Sequence, residues 1–350
     1  MGIINTDGLV ITSEILKLIA EIDEFKGAWL QVGRLSPDRL SSLKRVATIE
    51  SIGSSTRIEG AKLSDKEIEA LLKHADTKNF ATRDEQEVAG YADVCELICE
   101  HFQAIPLTES QIKDLHARLL HYSNKDDGHR GHYKKIPIRI EAFDPNGKSI
   151  GILFETVSPF ETPIRMQELL AWINDALETK ELHPLIIIAL FVVIFLAIHP
   201  FQDGNGRLSR LLTTLLMLKC GYNYCPYSSL ESVIEANKEG YYLSLQRSQK
   251  SWQNKMPDWN SWLLFFLQCL QRQKQHLAVK LEKEQILAKT LPPLSQQIVA
   301  LIREHSRLTI TEIATLTGSN RNTLKKVLTT LVKGNYLTQN GKGKGTWYTA

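Results

Sequence analysis

From Leu185 to Ile198 the chain runs for 14 residues without a single charged side chain. That is short of the roughly 20 apolar residues a membrane-spanning helix requires. The run therefore predicts a helix buried on all sides within a protein core, and the rest of the fold has to cover it. The chain has the material to do so, with 350 residues of which 43% are hydrophobic, enough for a sizeable core and for more than one domain. Charged residues at 23%, with 20 Gly and 12 Pro, exclude collagen-like, low-complexity and wholly disordered chains.

Around this helix, helical periodicity dominates. Leu43, Val46, Ile49 and Ile52 recur at helical spacing within Ser41 to Ile58, and Ser64-Asp65-Lys66-Glu67 has the S-x-x-E form of a helix start before Ile68 and Leu71-Leu72. Further helices are expected at Glu85 to Glu100, Thr108 to Leu120 and Pro163 to Leu177. One hairpin interrupts them: Lys134 to Ile140 alternates and Gly151 to Val157 is its expected partner across an Asp144-Pro145-Asn146-Gly147 turn. No repeat of 20 to 50 residues is visible, which argues against a solenoid. The N-terminus lacks the regions of a secretory signal, so a cytoplasmic location is expected; Met1 to Thr6 fits only the loose acylation pattern. Cys95, Cys99, Cys220, Cys225 and Cys269 are odd in number and form no C-x-x-C pair, which favours reduced thiols over a zinc site.

Immediately after the apolar run stands His199-Pro200-Phe201-Gln202-Asp203-Gly204-Asn205-Gly206-Arg207-Leu208-Ser209-Arg210, followed by an apolar helix, Leu211 to Leu218. Pro200 ends the first helix and leaves His199 at its lip, while Gly204 and Gly206 permit a backbone whose N–H groups converge on an anion. The next helix adds the positive end of its dipole, so phosphate is the expected occupant. Arg207 and Arg210 share a helix face and suit further phosphate oxygens. Asp203 offers a carboxylate to the Mg²⁺ that accompanies nucleotide phosphates, and His199 is suited to general-base work near neutral pH. Taken singly, such a histidine is commonly a cap, Gly-Asn-Gly a turn, and two arginines a solvated face. Here they share twelve consecutive positions.

His199 to Arg210 resembles the HPFxDGNGRxxR signature of Fic-domain proteins at every fixed position. Gly131-His132-Tyr133-Lys134 resembles the approach to that family's substrate-positioning flap, and Gly151 to Pro163 the flap and the helix after it. The resemblance spans roughly Glu85 to Gln249 and implies transfer of AMP from ATP to a protein hydroxyl. By position, His199 would take the proton from the attacking Tyr, Thr or Ser hydroxyl, and Asp203 would hold Mg²⁺ between the α- and β-phosphates. Gly204, Asn205 and Gly206 would cradle those phosphates, and Arg207 and Arg210 would neutralise the pyrophosphate end. Gly206 stands where phosphotransferring relatives carry lysine, which favours AMP transfer. Asn237 and Tyr241-Tyr242 resemble the adenine-pocket segment, although an aromatic pair on a helix is also a core feature. Upstream, Ser55-Thr56-Arg57-Ile58-Glu59-Gly60 matches the family's inhibitory pattern (S/T)xxxE(G/N), which implies autoinhibition by Glu59 with Ser55 and Gly60 as its framework and Arg210 as its partner. The plain alternative is a surface Glu before a helix-ending Gly.

Leu291-Pro292-Pro293 marks a boundary, since consecutive prolines cannot continue a helix. From Pro292 to Ala350 eight basic and two acidic side chains give +6, leaving −3 for the remainder of a chain of net charge +3. Ser295 to Ser306, Thr309 to Leu316 and Ser319 to Lys333 are expected to be helices, and Asn335 to Tyr348 a two-stranded wing with a Gly341-Lys342-Gly343-Lys344-Gly345 tip. This resembles a winged helix-turn-helix with its recognition helix beginning at Ser319-Asn320-Arg321-Asn322. Its charge suits DNA phosphates, though winged helices also serve as packing or dimer modules. The expectation is a mainly α protein: an N-terminal helical region with the inhibitory helix (1–104), a Fic core with a β-hairpin flap (105–250), a helical connection (251–291) and a winged-helix domain (292–350). ATP and Mg²⁺ are the expected cofactors, a target protein or the chain itself the acceptor, DNA a second partner, with no membrane association and a homodimer left open. Two other functions compete: a DNA-binding regulator whose Fic core senses nucleotide, and a de-AMPylating hydrolase in which Glu59 positions water.

Overall fold

The computed structural model describes residues 5–6, 8–29, 37–73, 80–143, 149–253, 257–305, 307–334, 336–341 and 343–349. The chain divides into two compact units, 1–33 with 44–275 and 34–43 with 276–350. The boundary expected at 292 falls inside the second unit. In chain order the first unit holds α1 (Ser13–Trp29), the greater part of α2 (Pro37–Ile58), α3 (Asp65–Lys73), α4 (Arg83–His101) and α5 (Glu109–Leu119). A hairpin of β1 (Arg139–Phe143) and β2 (Ser149–Glu155) follows. Then come α6 (Thr162–Thr179), α7 (Pro184–Ile198), α8 (Asn205–Lys219), α9 (Leu230–Ala236), α10 (Lys238–Gln253) and the first half of α11 (Asn260–Thr290).

Helix α7 is the expected buried rod. Every residue from Leu185 to Ile198 is buried, and α6, α8 and α10 pack around it. Even its backbone is used: Trp262 Nε1 donates to Ala189 O at 2.7 Å. Helix α4 starts as its sequence directs, with Thr82 and Glu85 forming a reciprocal capping box, and Thr108 caps α5. Helix α1, which the sequence reading did not single out, buries Ile15, Leu18, Ile19 and Ile22, an i, i+3, i+4, i+7 stripe.

Two differences bear on function. The apolar stripe expected on α2 is only part of its buried face: Ile52 is buried but Val46 is 47% exposed, and the last turns also bury Ser54, Ser55, Thr56 and Ile58. Small polar residues are buried there because hydrogen bonds satisfy them, as when Thr56 Oγ1 donates to Ile52 O at 2.9 Å. The first hairpin strand begins at Arg139, not Lys134. Pro137 has no N–H for a ladder, and the Lys134 N–H is directed to Pro200 O at 2.8 Å. Strands β1 and β2 are antiparallel, Arg139 opposite Glu155 and Phe143 opposite Ser149, with two register irregularities. The expected turn at 144–147 lies outside the described residues.

The second unit contains α12 (Pro293–His305), β3 (Leu308–Thr309), α13 (Ile310–Thr317), α14 (Arg321–Lys333), β4 (Thr338–Asn340) and β5 (Trp347–Thr349). Its core gathers Ile298, Ile302, Ile313, Leu324, Leu328 and Leu331. Gly318, at φ 63°, ends α13, and Asn320 caps α14, giving the tight turn of a helix-turn-helix. The wing is a three-stranded antiparallel sheet in the order β3-β5-β4; β3, two residues long, carries too little pattern to be read from sequence. Lys342 in the wing tip lies outside the described residues, as do Met1 to Ile4.

Candidate active site

The site is built where α7 stops. His199 is its C-terminal cap at φ 52°, ψ 62°, a left-handed conformation that costs a non-glycine residue about 1–2 kcal/mol. Its N–H donates to Phe195 O at 2.9 Å. The imidazole Nδ1 lies 3.4 Å from Leu196 O, and since a carbonyl only accepts, Nδ1 carries the proton and Nε2 keeps its lone pair. Burial, reinforced by the positive charge of Lys134, pushes this histidine down to about 4. It is therefore neutral at pH 7, the form a proton acceptor needs.

The loop after His199 is fixed by the side chain of Asn205. Phe201 N–H donates to Asn205 Oδ1 at 2.9 Å and Asn205 Nδ2 donates to Phe201 O at 2.7 Å. Both ends of that amide are thus occupied in closing the loop, and Asn205 is 2% exposed, so its contribution to an anion is its backbone position. Gly204, at φ 80°, is the N-cap of α8 and no side chain caps that helix. Its first N–H groups are left for an outside acceptor, the arrangement that binds phosphate at helix N-termini. The helix begins at Asn205, six residues earlier than the apolar segment alone implied, which places Gly206, Arg207 and Arg210 on its first two turns.

His116 supports this loop from below and gave no signal in the sequence. Gly131 N–H donates to its Nδ1 at 2.9 Å, so Nε2 carries the proton and donates to Asp203 O at 2.9 Å. The ring stacks on Phe201 with centroids 3.7 Å apart. Burial pushes His116 down to about 4.

Asp203 lies between two guanidinium groups. Its Oδ1 accepts from Arg207 Nη2 and its Oδ2 from Arg83 Nη2, both at 3.0 Å. Burial alone would raise this carboxyl, but Arg207, the Gly204 N–H and Arg83 outweigh it and hold it below its usual value. Arg83 and Glu87, at the start of α4, complete the cluster: Glu87 accepts from Arg83 Nε at 2.7 Å and lies 3.0 Å from Arg207 Nη1. Neither was anticipated, because nothing local in α4 announces contact with a loop 120 residues away.

Arg207 and Arg210 are 2% and 4% exposed. Arg207 Nη1 is ion-paired with Glu87, while among the described residues Arg207 Nε and Arg210 Nη1 have no hydrogen-bond acceptor. Buried guanidinium N–H groups are rarely left so, and their chemistry fits an anionic ligand. The other donors of Arg210 go to α2: Nε to Ser55 Oγ at 2.8 Å, Nη2 to Ser55 O at 2.9 Å and to Glu59 Oε1 at 2.8 Å. Glu59 follows the last turn of α2, where Gly60, at φ 108°, reverses the chain. Its carboxylate lies so close to Gly206 that any β-carbon there would collide with it. Ser55, Glu59 and the first turn of α8 are thus brought together across some 150 residues of sequence.

The expected adenine segment divides. Asn237 follows α9, Tyr241 is buried against Trp262 at 5.8 Å between centroids, and Tyr242 is 42% exposed. Of the aromatic pair, Tyr242 alone offers a ring face at the surface.

Residues 106–217 match the family model described as Fic/DOC family, and residues 297–341 match the IclR helix-turn-helix domain. The protein adenylyltransferase Fic of Drosophila mojavensis is 27% identical over 218 residues, 60% of this chain and 40% of that one. That of Drosophila melanogaster is 28% identical over 185 residues, 52% of this chain and 35% of that one. The chain thus spans about two-fifths or less of the length of these curated relatives. Among solved structures, a Fic family protein from Desulfovibrio desulfuricans G20 superposes with a TM-score of 0.63 at 23% identity, covering 98% of this chain and 97% of that one. A Fic-domain-containing signaling protein from Bacteroides thetaiotaomicron VPI-5482 does so at 0.60 and 26% identity, covering 77% and 97%. The loop that His199 opens and α8 closes accordingly lies within the stretch that matches the Fic/DOC family, and a second stretch of the same chain matches the IclR helix-turn-helix domain.

Proposed function

We propose that the chain transfers AMP from ATP to a Tyr, Thr or Ser hydroxyl of a protein, and that the arrangement described is its restrained state. The observation that carries this reading is the pairing of a neutral His199, Nε2 lone pair available, with an uncapped helix N-terminus backed by two buried arginines. ATP phosphates would lie on the backbone N–H groups from Asn205 onward. His199 Nε2 would take the proton of the acceptor hydroxyl as its oxygen bonds to the α-phosphorus. The bond from that phosphorus to the bridging oxygen breaks, and pyrophosphate leaves with the electron pair toward Arg207 and Arg210. By resemblance Asn237 and Tyr242 would border the adenine, with Tyr241 as the packed floor.

Mg²⁺ fits this site through Asp203. A hard cation shared with nucleotide phosphates takes one or two carboxylates and keeps several waters, and Asp203 is an ionised carboxylate at the phosphate loop. No cluster of three or more metal-ligating side chains occurs among the described residues. When bound, Mg²⁺ would neutralise phosphate charge; Arg83 would have to release Oδ2 to it.

Glu59 would restrain the reaction in two ways. It occupies Arg210, and it places negative charge against Gly206, where phosphate would lie. Incubation with ATP labelled at the α-phosphate tests the transfer; incubation with AMP-modified protein tests the reverse, hydrolytic reading in which Glu59 orients water. For the second unit we propose DNA binding through α14, whose exposed face presents Arg321, Asn322, Lys325 and Lys326. Affinity for duplex DNA that falls steeply with salt is the test. No helix among the described residues is long and apolar enough to cross a membrane, and the use of ATP accords with a cytoplasmic location.

A further inference from the structure

His199 holds a left-handed backbone conformation at the very position where a proton must be taken, so something has to keep it there. Lys134 reaches it from both sides. Its backbone N–H donates at 2.8 Å to Pro200 O, the carbonyl of the residue after His199. Its ammonium donates at 2.8 Å to Ile198 O, the carbonyl before it. The peptide group that leads into His199 and the one that follows Pro200 are therefore tied to one residue. Lys134 is only 3% exposed, and lysine is rarely buried to that depth unless it is paired. Among the described residues no carboxylate pairs with it: the second acceptor of its ammonium is Thr156 Oγ1 at 2.7 Å. That hydroxyl in turn donates to Ile138 O at 2.8 Å, at the foot of the β1–β2 hairpin.

The charge of Lys134 matters as well as its hydrogen bonds. The charged groups that act on His199 are Lys134, Glu59 and Asp203, and the two carboxylates favour the imidazolium. Lys134 opposes them. Because both acceptors of its ammonium are neutral oxygens, neither cancels its field at the imidazole.

We infer that Lys134 is a positioning residue for His199, holding the left-handed turn from both sides and placing a positive charge beside its imidazole. The inference deepens the reading of His199 as general base and rests on it. Through Thr156 and Ile138 the same lysine joins the foot of the hairpin to that base.

The test uses the full chain carrying Glu59→Gly, so that transfer is measurable, with Lys134→Met, Lys134→Gln or Lys134→Arg added. Two quantities are read: the titration of the His199 imidazole by ¹⁵N NMR, assigned with His199→Ala, and kcat and KM for ATP. Lys134→Met and Lys134→Gln are expected to raise the His199 titration by about one pH unit, because a repelling charge is gone. They should lower kcat about tenfold or more through misplacement of the base, with KM for ATP within about twofold. Lys134→Arg is expected to keep the titration and to recover part of kcat. Lys134→Gln keeps a donor for Ile198 O and serves where Lys134→Met does not fold. An unmoved titration in the neutral variants would overturn the inference, and if kcat nevertheless fell, Lys134 would be a structural tether only. Were His199→Ala to retain transfer, the base reading would fail with the kinetic arm, whereas the NMR arm would still report whether Lys134 and His199 are coupled.

Discussion

Glu59→Gly is expected to raise AMP transfer roughly 30-fold. The carboxylate of Glu59 is 33% exposed and bonds at 2.8 Å to a guanidinium that is 4% exposed. A hydrogen bond between charged groups in so dry a setting is worth about 1.5–3 kcal/mol. At about 2 kcal/mol in favour of the restrained arrangement, roughly 3% of molecules would have Arg210 and the first turn of α8 ready for phosphate, and removing the bias allows roughly a 30-fold gain. The protein should stay folded, because Arg210 keeps its bonds to Ser55 Oγ and Ser55 O. Glu59→Ala should act like Glu59→Gly, which separates loss of the carboxylate from gain of backbone freedom, since Gly60 already supplies the turn. Arg210→Ala breaks the same pair yet should lose activity, because the guanidinium is then missing from the pyrophosphate. The assay is the initial rate of incorporation of label from α-labelled ATP at saturating ATP·Mg²⁺, with ATP affinity and thermal unfolding measured alongside. If both Glu59 variants fold, bind ATP as the parent does and transfer no faster, Glu59 is not a restraint.

His199→Ala should abolish transfer, with a loss of about 10² to 10⁴ in rate, while ATP affinity measured by calorimetry persists because the phosphate loop is intact. Acid should destabilise the first unit through His116. Its ordinary value is about 6.5 and its folded value about 4, so its contribution of about 3 kcal/mol is present above pH ~6.5 and fades as pH falls toward 4. Urea midpoints should drop across that window and drop less in His116→Gln. Truncation after Thr290 should leave a folded, ATP-binding first unit, as seen by circular dichroism and calorimetry, because Pro292-Pro293 interrupts the helical path there.

What could be read in the sequence was whatever local chemistry dictates. The apolar run from Leu185 to Ile198 has no stable place except inside. The order His199, Pro200, Gly204, Gly206 writes a helix end, a loop and a helix start within eight residues. The segment Ser55 to Gly60 was legible as a pattern, though the buried face of its helix was not: Val46 is 47% exposed, while Ser54, Ser55 and Thr56 are buried, Ser55 against Arg210 some 150 residues along the chain. The same holds for His116, Arg83 and Glu87, which meet the motif only after α4 and α5 have packed beside α8. The hairpin start was misplaced because Lys134 to Ile140 alternates as a strand would. Its first residues instead serve the His199 turn, and Pro137 delays the ladder. In Tyr241-Tyr242, adjacency on a helix sends one ring inward and the other out, which sequence alone could not assign.

The most direct measurement is the intact mass of the Glu59→Gly chain after incubation with ATP·Mg²⁺, beside the chain carrying both Glu59→Gly and His199→Ala. Acceptor protein from a cell extract is included, and the adduct is located by peptide mass spectrometry. The account predicts an AMP adduct on a Tyr, Thr or Ser hydroxyl with the first chain and none with the second. An adduct of equal yield with both chains, or none with a folded, ATP-binding Glu59→Gly chain, would contradict it.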